Sequence, residues 1–383
     1  MAAERRLITI GHSYVVAENR RLAHEIAIAG RGQWTVTTIA PASFRGDLRR
    51  IALEPIAKEA GSVVPMTVRF DRVPHLMWYS GLRKSLAGPA DVVHCWEEPY
   101  VLAAVQVARQ TPAAARVVYA TFQNLSKSYP PPFAGFERES LRRAAGWIAF
   151  GVTAEETLTA RDGYGRIPHR VIAPGVDVDR FRPDPESGAA IRRQLGWPED
   201  AQVVGYLGRF APQKGITELC DALDRMKAPW RALFVGGGEL QSELERFSLR
   251  LRDRVHIANG VAHGDVPRWL NAMTVLCAPS RTTTRWREQF GRMLIEAMSC
   301  GVPVVATNSG EIPHVVGDAA RIVAERDSAA LSQALDALLA DADTRSELAQ
   351  AGVARARERF AWPIVARQHL DFFEAIAESP RVQ

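Results

Sequence analysis

Four charged residues in the second half of the chain carry the clearest chemistry. In GYLGRFAPQKG (205–215) a strand-like run ends in Gly208-Arg209, and after a short loop Lys214-Gly215 opens the next helix. Two cations at the carboxyl end of a strand, beside a helix N-terminus, suit a diphosphate, because backbone N–H groups, helix dipole and side-chain charge converge there. The spacing is not the GxxxxGK[ST] of a P-loop. Downstream, in REQFGRMLIEAMSCGVPVVAT (287–307), Glu288 and Glu296 stand eight residues apart. With a helix beginning near Phe290, Glu288 precedes the first turn and Glu296 lies inside it, so the two carboxylates address different parts of one ligand. Carboxylates accept paired hydrogen bonds from vicinal hydroxyls, as on a sugar or a ribose. Gly291 would let the helix N-terminus approach a phosphate or sugar closely.

Three other patterns do not mark a site. Asp177-Val178-Asp179 mimics a metal-binding DxD, but it follows Pro174-Gly175 instead of a nucleotide-binding strand and reads as linker and turn chemistry. Gly236-Gly237-Gly238 is not GxGxxG and does not argue for a dinucleotide cofactor. Cys95, Cys220, Cys277 and Cys300 form no CxxC pair, which supports reduced thiols and neither a zinc site nor a disulfide framework. No other carboxylate or His/Cys group has metal-ligand spacing, so no metal is expected.

These motifs need strands and helices to hold them. Apolar strand-like runs alternate with helical patterns: LITI (7–10), WTVTTIA (34–40), DVVHC (91–95), RVVYATF (116–122), GWIAFG (146–151) and RVIAPG (170–175), with helices over 22–28 and 101–108. After the Pro- and charge-rich APGVDVDRFRPDPES (173–187), a second series runs VVGYLG (203–208), RALFVGGG (231–238), DRVHIAN (253–259), VLCAPS (275–280), VPVVAT (302–307) and ARIVA (320–324). Such alternation predicts parallel, doubly wound sheets, whose ligands bind beyond the carboxyl ends of the strands. The 383 residues are too many for one ordinary core and suit two α/β domains. Expected boundaries are 1–175, 176–360 and a closing helix over 361–383 that packs back toward the first domain.

Composition narrows the setting. With 47% apolar and 24% charged residues the chain reads as globular. It has no 18-residue apolar run for a transmembrane helix and no signal-peptide core, which predicts a cytoplasmic protein. Residues 1–170 carry 22 Lys and Arg against 15 Asp and Glu, a net of +7, whereas 171–383 carry 26 against 28, a net of −2. The basic half suits peripheral contact with an anionic membrane at its inner face. It lacks the aromatic-interleaved basic stripe of nucleic-acid binders.

Taken together, the GR…KG loop, the Glu-x7-Glu pair, EAMSCGVPVVAT (296–307), GEIPHVV (310–316) and the closing FAWPIVARQHLDFFEAI (360–376) resemble the family 4 retaining glycosyltransferases, glycosyl transferases group 1. The resemblance covers nearly all of the C-terminal half and is looser before it. It implies the GT-B fold, two Rossmann-like domains facing each other across a cleft. It also implies a metal-independent hexosyltransferase that uses a UDP-, GDP- or other nucleotide-diphosphate sugar and retains anomeric configuration. By the same resemblance Arg209 and Lys214 hold the donor diphosphate, Glu288 the sugar hydroxyls and Glu296 the ribose hydroxyls. Backbone amides around Phe290 and Gly291 help hold sugar and phosphate. The leaving phosphate can take the acceptor's proton, which removes the need for a strong protein base.

The N-terminal half departs from the family pattern. Where many members carry Gly-Gly after the first strand, this chain has Gly11-His12-Ser13, so only Gly11 transfers, for close approach to the diphosphate or sugar. Where many read His-x-His after the third long strand, it has His94-Cys95-Trp96, followed by Glu97-Glu98. His94 is the candidate near the reacting centre, with Glu97 and Glu98 competing. Loop residues Gln123, Asn124 and Lys127 in TFQNLSKSYPPPF (121–133), together with His12, Glu97 and Glu98, are candidates for a hydroxyl acceptor. That acceptor is a glycan, a lipid-linked species or a small molecule. Two other readings stand beside transfer: a sugar-nucleotide-binding partner subunit without activity, and another GT-B enzyme such as a sugar-nucleotide epimerase.

Overall fold

Strands buried on both faces need helices on both faces, and both sheets of this protein are covered in that way. The computed structural model describes residues 4–46 and 50–380. Residues 1–3, at the start of the basic N-terminus, and 381–383, at the end of the closing segment, lie outside them. The chain divides into two units, Met1–Gly175 with Trp362–Gln383, and Val176–Ala361. No helix among the described residues is long and apolar enough to cross a membrane. The four cysteines are free.

The first unit is built on seven parallel strands: β1 (Arg5–Ile10), β2 (Trp34–Pro41), β3 (Ser62–Met66), β4 (Val92–Cys95), β5 (Arg116–Thr121), β6 (Ala144–Ala149) and β7 (His169–Val171). Their spatial order is β7-β6-β5-β4-β1-β2-β3, with Ile10 in register with Cys95 on one side and Ile39 on the other. The reversal beside β1 is the topological switch point where such sheets open a crevice. Strand β3, which the apolar pattern did not show, is an edge strand carrying Pro65. Proline cannot donate to a ladder and is confined to such edges.

Helix α1 (Ala17–Ala29) covers one face with the closing helix, which belongs to this unit. Arg367 donates to the Ala29 carbonyl at 3.2 Å, and Arg5 pairs with Glu378 at 2.6 Å. A Cβ at Gly146 would meet Phe372 and Ile376 at 2.9 Å, so the closing helix needs glycine there.

The second unit holds six parallel strands: β8 (Val203–Arg209), β9 (Arg231–Gly237), β10 (Val255–Ala258), β11 (Val275–Ala278), β12 (Val304–Thr307) and β13 (Ala320–Val323), in the order β10-β9-β8-β11-β12-β13. Its switch point lies between β8 and β11. Helix α2 (Ile216–Arg225) follows β8, and α3 (Arg292–Ser299) lies between β11 and β12. Helix α4 (Trp362–Glu378) begins where the chain leaves this unit. Entry and exit run side by side, the Val176 N–H donating to the Phe360 carbonyl at 2.7 Å.

Candidate active site

At the carboxyl ends of β8 and β11, backbone contacts bring two distant loops together. Gly215 has φ +72°, and a Cβ there would lie 1.9 Å from the Pro279 carbonyl oxygen. Arg281 N–H donates to the Gln213 carbonyl at 2.9 Å. This contact sets Lys214 over the Trp286 ring, 4.9 Å from its centroid, and places Nζ 2.7 Å from Glu288 Oε2. Ser280 Oγ donates to the same oxygen at 2.8 Å.

Glu288 is held from behind as well. Gly310, at φ +53°, leaves room that a Cβ would close to 2.0 Å from the Glu288 carbonyl oxygen, and Glu311 N–H donates to that oxygen at 3.0 Å. The GEIPHVV motif therefore clamps the backbone of Glu288. Arg209, at the end of β8, is exposed beside this cluster's loop.

Helix α3 begins at Arg292, two residues after the expected start near Phe290. Gly291 is the reason: it sits at φ +81°, outside helical space, as the residue before the first turn. Glu288 still precedes the helix and Glu296 lies inside it. The Phe290 side chain turns inward, 5% exposed, with its ring edge-on to Phe360. Glu296 belongs to a separate cluster, its Oε1 taking a bond from His263 Nε2 at 3.0 Å. Gly310 opens the GEIPHVV motif, but its role in holding Glu288 was not read from the sequence, and neither Ser280 nor His263 lies in a motif whose chemistry is readable from residue type.

Asp177 uses its carboxylate on the backbone, accepting from Asp179 N–H at 3.2 Å and Arg180 N–H at 3.1 Å. The DxD pattern is thus an Asx-type turn.

The first unit has its own polar group at the carboxyl ends of β1, β4 and β5. Glu97 is 2% exposed and accepts three bonds: His12 N–H at 2.6 Å, His12 Nδ1 at 2.6 Å and Tyr79 O–H at 2.7 Å. Burial pushes the His12 imidazole down, but the charge and hydrogen bond of Glu97, with the charge of Glu98, outweigh it and raise its pKa above 6.5. Its side chain is 38% exposed. Burial raises the pKa of Glu98, although Thr121 Oγ1 and Phe122 N–H bond it at 2.6 and 2.9 Å.

The other candidates of this half are placed differently. His94 is fully buried, its Nδ1 3.1 Å from Thr9 Oγ1 and its ring against Trp96, His369 and Phe373. Burial and the neighbouring His369 push its pKa well down, and no part of its surface is open to a ligand. Gly11 is extended, at φ −170°. A Cβ there would meet the Trp96 Cβ at 2.9 Å, so packing against Trp96 already requires glycine. Gln123 and Asn124 are 7% and 3% exposed. Gln123 Nε2 is turned to the Leu125 carbonyl at 3.0 Å, while the exposed Lys127 receives Arg161 on its carbonyl at 2.6 Å.

Residues 188–355 match the family model described as Glycosyl transferases group 1. The chain is 35% identical over 215 residues to a D-inositol 3-phosphate glycosyltransferase from Xylanimonas cellulosilytica, covering 53% of this chain and 50% of that protein. It is 32% identical over 262 residues to the lipopolysaccharide core biosynthesis mannosyltransferase LpsB of Rhizobium meliloti, covering 63% of this chain and 72% of that one. The chain spans about half the length of the first curated relatives it matches. Among solved structures, Anabaena Alr3699/HepE in complex with UDP superposes with a TM-score of 0.75 at 21% identity, over 97% of this chain and 100% of that one. That likeness establishes a two-domain Rossmann-like GT-B fold. The segment that matches the family spans Lys214, Glu288 and Glu296 within one unit, and the chain belongs to the glycosyl transferases group 1 family.

Proposed function

We propose that the protein moves a hexose-type sugar from a nucleotide-diphosphate sugar to a hydroxyl acceptor, with retention of configuration and without a metal. The observation that carries this reading is the Lys214 ammonium held 2.7 Å from the Glu288 carboxylate at the strand ends of the second unit. One cation for a diphosphate and one carboxylate for sugar hydroxyls stand together, at the start of a helix. Breaking the sugar–phosphate bond leaves its electron pair on the diphosphate. Arg209, Lys214 and the N-terminus of α3 stabilise that charge where it develops. Glu296 takes the ribose. The hydroxyl-binding group is His12, Glu97 and Glu98 in the first unit.

The names of the relatives support sugar transfer, and UDP in the Anabaena neighbour supports a nucleotide donor. We place the protein in the cytoplasm, peripheral to an anionic membrane. The exposed Phe70, Val73 and Leu76 among Arg69, Arg72, Arg83 and Lys84 support that contact.

Incubation with UDP-glucose, GDP-mannose and related donors, read as release of nucleoside diphosphate, tests the reading. Slow release in water, accelerated by an acceptor, is expected. Tight binding without release would instead make the chain a binding subunit.

A further inference from the structure

Glu296 lies within α3, 5% exposed, and one of its two oxygens is already committed. Oε1 is 3.0 Å from His263 Nε2, while His263 Nδ1 is 3.1 Å from an Arg180 guanidinium nitrogen. A guanidinium only donates. Nδ1 must therefore accept, the ring proton sits on Nε2, and Nε2 donates to Glu296. The result is a directed chain, Arg180 to His263 to Glu296, in which each bond polarises the next.

Both upstream members are themselves anchored. Asp177 caps the Arg180 N–H, and the Arg180 guanidinium lies over the Phe181 ring, 4.8 Å from its centroid. Phe181 is fully buried, packs 5.6 Å from the His263 ring, and gives its carbonyl to Ser299 Oγ of α3 itself. The helix that carries Glu296 thus also holds the segment that orients it.

We propose that Arg180 and His263 are positioning residues that fix Oε1 of Glu296 and so present Oε2 to the vicinal 2′- and 3′-hydroxyls of a ribonucleotide. The inference rests on the reading above that Glu296 takes the ribose. A carboxylate free to rotate would lose side-chain entropy on binding, and holding it beforehand removes that cost. The arrangement favours a ribose diol: with Oε1 engaged, a sugar with both hydroxyls donates to Oε2, and a sugar lacking them leaves that oxygen to water.

Calorimetry of the protein with UDP and GDP, each beside its 2′,3′-dideoxy counterpart, tests this. For whichever base binds, His263→Ala is expected to weaken the ribonucleotide roughly tenfold, the scale of one charge-assisted hydrogen bond, and to leave the dideoxy nucleotide unchanged. His263→Gln, whose amide can donate toward the same oxygen, should recover most of the loss. His263→Ala should add nothing to Glu296→Gln. Arg180→Ala should show the same ribose-only loss at smaller size. Thermal unfolding of each variant reports whether the fold is kept. Equal weakening of ribo- and dideoxynucleotide by both His263 variants would overturn the proposal. So would normal ribonucleotide affinity in His263→Ala while Glu296→Ala is weakened, and that result would leave the ribose role of Glu296 standing. Unchanged affinity in Glu296→Ala, or no binding of either nucleotide by the wild type, would remove the underlying reading as well.

Discussion

Lys214 and Glu288, 74 residues apart in the chain, form an ion pair with Nζ 2.7 Å from Oε2, and Ser280 donates to the same oxygen. Their side chains are 16% and 6% exposed. The ammonium and carboxylate are therefore poised against each other before any ligand arrives, and a diphosphate must share or draw off the Lys214 charge.

Lys214→Ala should lower turnover strongly, by roughly 30- to 1000-fold if the contact acts at the leaving group, about 2–4 kcal/mol. Arg209→Ala should also lower it. Lys214→Ala should in addition cost stability, because it leaves Glu288 buried with one donor fewer. Glu288→Ala should reduce sugar transfer yet leave affinity for bare nucleoside diphosphate equal or slightly higher, since Lys214 is released to the phosphates. Steady-state kinetics and calorimetry with thermal unfolding separate these effects. Near-normal turnover in both cation variants would put the diphosphate elsewhere.

Chelation provides a second check. Donor binding and nucleotide release should both continue in EDTA. Loss of release, restored by manganese, would contradict the charge-stabilising role given to Lys214, Arg209 and the helix N-terminus.

The His12–Glu97 pair predicts a measurable titration. Imidazole NMR shifts should report a His12 pKa above 6.5 in the folded protein, and Glu97→Gln should lower it. The sign for stability follows from linkage. The folded state holds this proton more tightly than the unfolded one, so the contribution is complete below pH 6.5. It fades as pH rises through the folded-state value. A His12 pKa at or below 6.5 would show that burial, not Glu97, governs the ring.

The segment 69–84 should bind vesicles of phosphatidylglycerol but not phosphatidylcholine, with binding weakened by salt. Phe70 is 66% exposed and opens a turn, its carbonyl accepting from Val73 N–H at 2.9 Å. Phe70→Ser should reduce binding, and Arg69→Gln with Arg72→Gln should reduce it further. Sedimentation with vesicles reads both, and equal binding to neutral lipid would refute the electrostatic part.

Local pattern determined most of the sheet architecture. Runs such as VVHC and VVAT are buried on both faces, so their unbroken apolar character is itself the signal of a parallel strand. The twelve apolar runs read from the sequence each overlap a strand, RVIAPG only through Arg170 and Val171. The edge strand Ser62–Met66 escaped because an edge needs neither continuous apolarity nor every N–H, and tolerates Pro65. Glu288 and Glu296 were legible because their spacing places them around one helix start. Only the tertiary structure decided what each of them touches. Glu97 meets His12 across 85 residues and Tyr79 across 18, while Glu296 meets His263 across 33. Such pairings arise where parallel strands, separated in sequence by whole helices, end side by side, and no local periodicity records which loops the sheet order will make neighbours.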